Sequence, residues 1–267
     1  DLNGFSETIG PLDGGGQVAT NGGGLWINST GDADFAGTVS GTGSVVKLNA
    51  ARQTLSGANT YTGSTSVIQG ELDLGAAGAV GSATSLTDVG TTDGVSATLS
   101  IGGGSLDASS ITVGSDGSGT LNVSGTAVVN ARGNTGFGAL VVGLNGTGTV
   151  NQTGGLVEIT GGSYAILGRY GNSSGTYDIS SGELRTNGSS FYLGWDSTGA
   201  TGTLTVSGTG LVTLNDTILE AGGHGTAYIN QSGGMIDVQN DHIVLGRYTE
   251  GETFVDVSAG TMQTSGN

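Results

Sequence analysis

The chain contains 267 residues, of which 56 are glycine and one is proline. Glycine without a period is typical of disordered linkers, whereas glycine at a fixed spacing indicates a folded repeat array. Each glycine inside a helix costs about 0.8–1 kcal/mol relative to alanine, so the composition excludes a helical fold. A net charge of −16 disfavours binding to nucleic acids and anionic lipid surfaces. The absence of cysteine excludes disulfide frameworks and thiol catalysis.

The first segment, residues 1–33, is rich in glycine, contains the only proline, Pro11, and shows no repeat. We expect an irregular segment that either caps the first coil or contacts a neighbouring molecule. The chain opens with Asp1 and without a basic and apolar leader, and no apolar run approaches the roughly 18 residues of a membrane-spanning helix. These features predict a mature, soluble segment without membrane insertion.

The second segment, residues 34–110, carries a specific motif. Residues 54–75 read TLSGANTYTGSTSVIQGELDLG and follow DFAGTVSGTGSVVKLNAARQ at 34–53. This stretch resembles the passenger-associated repeat of bacterial autotransporters and related surface adhesins. The resemblance implies a right-handed β-helix displayed outside a bacterial cell, in a stalk or adhesive role.

The residues of the motif also predict local structure. Alternation of apolar and polar positions is the signal of a strand with one buried face. It predicts inward side chains at Leu55, Val67, Leu72 and Leu74. The stretch from Asn59 through Tyr61 to Gly63 is interpreted as a turn.

The third segment, residues 111–267, repeats with a period of about 26 residues. Two series of residues have this spacing: Leu167, Leu193, Leu219 and Leu245, and Gly182, Gly208, Gly234 and Gly260. The residues that follow the leucines are Gly168, Gly194, Glu220 and Gly246, so Glu220 fills one slot that is otherwise glycine.

One unit contains three alternating runs, at 164–168, 175–180 and 182–187, with turn residues between them. Strands that recur without intervening helices indicate an array of stacked coils. We therefore predict an all-β, right-handed parallel β-solenoid of about ten coils, with three short strands per coil. All three segments would form one continuous solenoid.

Alternation also assigns an outward face in the third segment, with Ile166, Tyr192, Ile218 and Val244 in one apolar row. Aromatic and basic residues lie next to this row. The predicted interaction strip contains ten residues: Tyr164, Ile166, Arg169, Tyr170, Tyr192, Trp195, Ile218, Val244, Arg247 and Tyr248. The alternative interpretation is that β-branched residues simply suit a strand surface.

Because some β-helices degrade polysaccharides, catalytic candidates need to be weighed. His224 lies in a Gly-His-Gly triplet that matches a short motif of polygalacturonase-like hydrolases, but the accompanying paired-Asp and Arg-Ile-Lys motifs are absent. A 26-residue period would place His242 beside Asp216 and His224 beside Glu250, without a third member for catalysis. Two carboxylates, on Asp32 and Asp34, are too few for calcium. No catalytic residue, metal site or cofactor is predicted.

The functional expectation is a non-enzymatic extracellular structural protein. A solenoid has two open ends, and no cap is recognisable in the sequence, so stacking of subunits head to tail into a filament or surface layer is expected. The first alternative is an adhesin stalk that binds a glycan or a cell surface through the predicted interaction strip. The second alternative is a polysaccharide-degrading enzyme.

Overall fold

A computed structural model describes residues 1–75, 78–133, 138–188 and 190–265, and these residues form 28 β-strands and no helix. The first third of the chain contains β1 (Glu7–Ile9), β2 (Gln17–Ala19), β3 (Leu25–Ile27), β4 (Ala33–Phe35), β5 (Thr38–Gly41), β6 (Val45–Lys47), β7 (Arg52–Leu55), β8 (Thr60–Tyr61), β9 (Thr65–Val67), β10 (Gly70–Asp73) and β11 (Ala79–Gly81). The middle third contains β12 (Leu86–Val89), β13 (Ser96–Ile101), β14 (Ser105–Ala108), β15 (Ser110–Val113), β16 (Ser118–Val123), β17 (Val128–Ala131), β18 (Leu140–Val142), β19 (Thr147–Ile159), β20 (Ala165–Leu167) and β21 (Ser174–Asn187). The last third contains β22 (Ser190–Leu193), β23 (Thr201–Val206), β24 (Leu211–Asn215), β25 (Ile218–Ala221), β26 (Thr226–Gln239), β27 (Ile243–Leu245) and β28 (Glu252–Thr264).

All strand pairs are parallel, and each strand pairs with its counterpart one coil away. One sheet contains eleven strands in the order β1-β3-β6-β9-β12-β15-β18-β20-β22-β25-β27. The other walls are a fourteen-stranded sheet and a three-stranded sheet, β2-β5-β8. The prediction of an all-β parallel solenoid is confirmed. At a spacing of about 4.8 Å per strand, the eleven-stranded ladder is about 48 Å long. No helix in the described ranges could cross a membrane.

The core is a column of side chains inside the coils. Within strands buried and less buried residues alternate, as in β13, where Ala97, Leu99 and Ile101 point inward. In the repeat motif, Leu55, Val67, Leu72 and Leu74 are all buried, as predicted. Each inward residue packs on its counterparts in the neighbouring coils, so the apolar rows form one continuous core.

The second and third predicted strands of a coil are fused in four of the coils, which contain the long strands β19, β21, β26 and β28. Bulges take up the change of direction, for example around Gln152 and Gln231. Inside these corners the Gln152 and Gln231 side chains donate to backbone carbonyl groups of Glu183 and Thr261 in the next coil. The expected turn between the two strands is therefore a bulged bend within one strand.

The register of the last coils corrects the predicted leucine row. Leu167 pairs with Leu193, but Leu193 pairs with Ala221, and Ala221 with Leu245. One coil is thus 28 residues long and the next is 24, and together they equal two coils of 26. Leu219 lies two residues earlier, opposite Phe191.

The same register corrects the interpretation of Glu220 as a corner residue. The corner after β25 is Gly222, whose φ of 69° matches φ values of 68° at Gly168, 62° at Gly194 and 62° at Gly246. Because these corners need a left-handed backbone, glycine is the residue that adopts them without strain. Glu220 belongs instead to the outward row of the eleven-stranded sheet.

The N-terminal segment is more regular than expected. β1 and β3 within residues 1–33 pair with each other, and β2 pairs with β5. The buried side chain of Gln53 ties the segment down by accepting from the Leu12 N–H at 3.0 Å and donating to the Leu12 carbonyl at 2.8 Å. Leu2, Ile9, Leu12 and Val18 pack against the core. The segment therefore forms the first layer of the solenoid.

The predicted turn in the motif contains two of its most important core residues. Tyr61 lies on β8 with no exposed surface, and its hydroxyl is 2.9 Å from the hydroxyl oxygen of Thr65. Asn59 is also buried; its side chain accepts from the Val39 N–H at 2.9 Å and donates to the Leu55 and Gly57 carbonyl groups. The motif thus places a polar clamp inside a corner of the coil.

We expect the free energy of unfolding to decrease at alkaline pH because burial raises the pKa of Tyr61 to about 12. The neutral phenol is favoured in the folded state, so its contribution is fully present below pH 10 and is lost as pH rises towards 12. The loss for Tyr61 amounts to about 2–3 kcal/mol. Chemical denaturation at pH 9 and pH 11.5 should show a smaller decrease in a Tyr61→Phe variant than in the unaltered chain. Equal decreases in the two proteins would contradict the assignment.

Candidate binding surface

The outward row of the eleven-stranded sheet changes character along the solenoid. In the last described coils this row contains Val141, Ile166, Tyr192, Glu220 and Val244. Glu220 replaces Ile218 of the predicted row because of the 28-residue coil. Ile218 is displaced by two residues and lies opposite Ser190.

Ile166 does not form an exposed apolar ladder with its neighbours. It is 1% exposed, and a Cβ atom placed on Gly138 would lie 3.8 Å from its Cδ1 atom, so the backbone there passes beside it. Val244 is partly exposed. The prediction of an exposed apolar row is wrong at Ile166 and Ile218, because a neighbouring segment covers the first and the register moves the second.

Aromatic residues from four successive coils come together beside this row. We call this set the aromatic strip; its members are Tyr164, Tyr192, Trp195, His224 and Tyr248. The Tyr192 and Trp195 rings stack with centroids 3.8 Å apart, and the His224 and Tyr248 rings stack at 4.3 Å. Tyr164 lies 5.4 Å from Tyr192, and Trp195 lies 6.3 Å from Tyr248. The rings therefore form one continuous surface along the solenoid.

The backbone of the next coil holds Trp195 in place. A Cβ atom on Gly223 would lie 2.5 Å from Cε3 of the Trp195 ring, so the indole rests directly on the backbone at that glycine. The His224 N–H donates to the Trp195 carbonyl at 2.9 Å, which fixes the two coils in register at this point. Close approach of the backbone to the ring is what requires glycine at position 223.

Two arginine–carboxylate pairs border the aromatic strip. Arg247 Nη1 donates to Glu220 Oε2 at 2.6 Å, and Arg169 Nε donates to Asp196 Oδ2 at 3.0 Å. The guanidinium groups also lie over the rings of Tyr248 and Tyr170, at 5.8 and 4.6 Å from the ring centroids. The bond to Glu220 raises the pKa of Arg247, so this residue remains charged.

Glu220 is the least expected member of this surface. Its side chain is only 1% exposed, whereas that of Arg247 is 48% exposed and lies across it. The second carboxylate oxygen, Oε1, is buried and has no hydrogen-bond partner. The carboxylate therefore retains an unused acceptor beneath a solvent-accessible arginine.

The predicted interaction strip is therefore partly assembled. The structure brings Tyr164, Tyr192, Trp195, Arg247 and Tyr248 together, and places the Arg169–Tyr170 pair beside Asp196. The sequence analysis missed Glu220 and His224 as members. A register of 28 and 24 residues was the signal needed to find Glu220, and it is set by loops that the period does not show.

A groove of about 370 Å³ lies on the same outward face, towards the N-terminus. Its lining includes Leu86, Asp88, Thr112, Val141 and Leu144. Burial raises the pKa of Asp88, and a hydrogen bond from Thr112 partly offsets this effect. The groove contains a single carboxylate and aliphatic residues, so its chemistry differs from that of the aromatic strip.

The two histidines are engaged with neighbours in the structure. His224 Nδ1 lies 3.6 Å from Glu250 Oε2, as the sequence predicts, while its ring stacks on Tyr248. His242 Nδ1 lies 2.7 Å from Asp241 Oδ1, so the expected pairing with Asp216 is wrong. The cause is again the register, which places His242 next to Ile218 and not next to Asp216.

The comparison with protein families concerns the coil that contains Asn59 and Tyr61. Residues 45–74 match the family model of the passenger-associated-transport-repeat. The match confirms the resemblance seen in the sequence. The passenger repeat spans β6 to β10, which is one coil and the beginning of the next. No significant match was found among curated proteins or solved structures.

The passenger repeat and the fold agree with each other. A parallel solenoid with this repeat fits a passenger-like structural domain of the autotransporter type. The repeat lies in the early coils, whereas the aromatic strip lies in the late coils, more than a hundred residues away in sequence. The chain thus combines a structural repeat with a separate candidate binding surface.

Proposed function

We propose that this chain is a non-enzymatic structural segment of a secreted or cell-surface protein and that copies of it associate end to end. The passenger repeat supports the passenger-like structural role and the location outside the cell. The engagement of His224 with Tyr248 and Glu250 supports a role without catalysis, because this histidine is the strongest catalytic candidate.

The observation that carries the association is the last described coil. Its inward residues Leu245, Val255 and Val257 are 52%, 43% and 45% exposed. Their counterparts one coil earlier, Ala221, Ile229 and Gln231, are all buried. The difference arises because no further coil covers this layer within the part of the chain that the structure describes.

A second copy of the chain is suited to cover this layer. β1 and β27 are the outermost strands of the eleven-stranded sheet, so each has one unpaired edge within the described ranges. Since all the strands run parallel, the first coil of one copy has the direction needed to follow the last coil of another. Such a contact is heterologous and does not close on itself, so it generates a filament.

Three matched variants of β28 test this proposal. Val255→Glu and Val257→Glu introduce a charge into the inward layer, whereas Phe254→Glu introduces the same charge on the outward face of the same strand. The three positions have similar exposure, at 43%, 45% and 50%. We expect the unaltered chain and Phe254→Glu to increase in mass with concentration in sedimentation velocity, and the two inward variants to remain monomeric because a buried unpaired charge is unfavourable.

The proposal would be contradicted by an unaltered chain that stays monomeric at every concentration. It would also be contradicted by association that is equally strong in all three variants, because the contact would then lie elsewhere. Electron microscopy of the associated material should show rods that lengthen along one axis.

A further inference from the structure

The aromatic strip has the shape of a site for a linear ligand. Its rings come from four successive coils, so at about 4.8 Å per coil they cover about 14 Å along the solenoid axis. Tyr164 and Tyr248, at the two ends, are 41% and 40% exposed. A surface of this form, long, narrow and aromatic, matches an extended chain that contacts one ring after another.

The polar groups at the strip specify the chemistry of such a ligand further. Glu220 Oε1 is a buried acceptor without a donor, and leaving such a group unsatisfied is costly. The side chain that lies across it, Arg247, is long and half-exposed, so it is able to move aside. A ligand with several hydroxyl groups would supply the missing donor and would also accept from the guanidinium group.

The charge of the surface disfavours acidic ligands. The chain has a net charge of −16, and both arginines at the strip are already held by carboxylates, Glu220 and Asp196. An anionic polymer would have to displace these pairs against the repulsion of the whole chain. A neutral ligand meets no such opposition.

We propose that the aromatic strip binds a neutral, linear polysaccharide. The apolar C–H faces of successive pyranose rings would lie on Tyr192, Trp195 and Tyr248, as apolar ligand surface stacks on aromatic side chains in general. Sugar hydroxyl groups would donate to Glu220 and accept from Arg247. The site is independent of association through the ends, because it lies on the wall of the solenoid.

The chain provides a matched control for this proposal. Tyr228 and Phe254 form another exposed aromatic stack, with centroids 5.1 Å apart, on the fourteen-stranded sheet. Neither residue has a described ion pair, so this second stack has exposed rings without the carboxylate and guanidinium groups of the strip. A Phe254→Ala variant therefore separates a specific site from general adhesion of exposed aromatic residues.

The test is affinity electrophoresis in gels that contain a neutral polysaccharide, mixed-linkage β-glucan or galactomannan, or an acidic one, polygalacturonate. We expect retardation of the unaltered chain by a neutral polymer, a loss of about tenfold or more in affinity for Trp195→Ala, and no change for Phe254→Ala. Glu220→Gln should weaken binding, since it removes the charge of the acceptor. If Trp195→Ala proves unfolded by circular dichroism, Tyr248→Ala replaces it, because that ring is 40% exposed.

Three outcomes would overturn the proposal. These are the absence of retardation by both neutral polymers, retardation by polygalacturonate alone, and binding that Trp195→Ala and Tyr248→Ala leave unchanged. Loss of self-association in Trp195→Ala without any polysaccharide binding would assign the strip to contacts between copies and would equally overturn it. Because the β28 variants test association separately, failure of one proposal is distinguishable from failure of the other.

Discussion

Replacement of Asn59 by alanine is expected to lower the free energy of unfolding by about 3–5 kcal/mol. The side chain satisfies three buried backbone groups at once, the Val39 N–H and the carbonyls of Leu55 and Gly57. Its removal leaves these groups without partners in an apolar corner, and each unsatisfied buried group costs about 1–3 kcal/mol. The effect should be large because Asn59 connects two coils of the passenger repeat.

Urea denaturation followed by circular dichroism measures this difference. Asn145→Ala is the matched control, because Asn145 is exposed and makes one side-chain hydrogen bond, to Asp116. We expect the control to change stability by no more than about 0.5 kcal/mol. A similar, small effect of both variants would show that the corner does not depend on the buried amide.

Replacement of Gly175 by valine is the second change with a large expected effect. A Cβ atom at this position would lie 2.0 Å from the Val142 carbonyl oxygen and 2.4 Å from the Gly168 nitrogen. Both neighbours are backbone atoms, so no side chain can move away to make room. The strain should exceed the 1–3 kcal/mol that is usual for overpacking, and we expect a loss of about 3 kcal/mol or more.

The reason lies in the architecture of the corner. Gly119, Gly148, Gly175 and Gly202 form one row across four coils, and each packs against the end of a strand in the eleven-stranded sheet. Gly31→Val is the control, since nothing lies within 4 Å of the added Cβ atom. Thermal unfolding should show a large decrease for Gly175→Val and almost none for Gly31→Val, whereas equal melting temperatures would contradict the proposed close approach.

Much of the fold was predictable from the sequence because it depends on local patterns. Alternation identified Leu55, Val67, Leu72 and Leu74 as core residues, and all four are buried. The spacing of Leu167 and Leu193 indicated stacked coils, and the two residues pair in the structure. These features follow from the two-residue period of a strand and from the repetition of coils, which the sequence shows directly.

The register of individual coils was not predictable in the same way. Leu219 has the spacing of the leucine row, yet Ala221 occupies the row, because one coil is two residues longer and the next two shorter. The positive φ of 46° at Asp216 belongs to the turn before β25 that sets this offset. A period measured over two coils cannot reveal changes that cancel, so Glu220 was placed at a corner and Ile218 in the outward row.

Side chains that act over long sequence distances also escaped prediction. Gln53 holds Leu12, 41 residues away, and thereby orders a segment whose own sequence has no period. Asn59 and Tyr61 have the composition of a turn, but the structure buries them. In both cases a polar residue inside the coil satisfies backbone groups of another coil, and only the three-dimensional arrangement shows the partner.

The continuous parallel ladder is the basis of the structural role, and one distance measures it most directly. Ser66 and Val244 belong to the same outward row, seven coil steps apart, and the chain has no cysteine of its own. Spin labels on a Ser66→Cys, Val244→Cys variant, diluted with unlabelled chain, can be measured by pulsed electron paramagnetic resonance. Seven steps of about 4.8 Å predict a narrow distribution centred near 34 Å, apart from the length of the labels. A broad distribution, or one centred far from this distance, would contradict the solenoid.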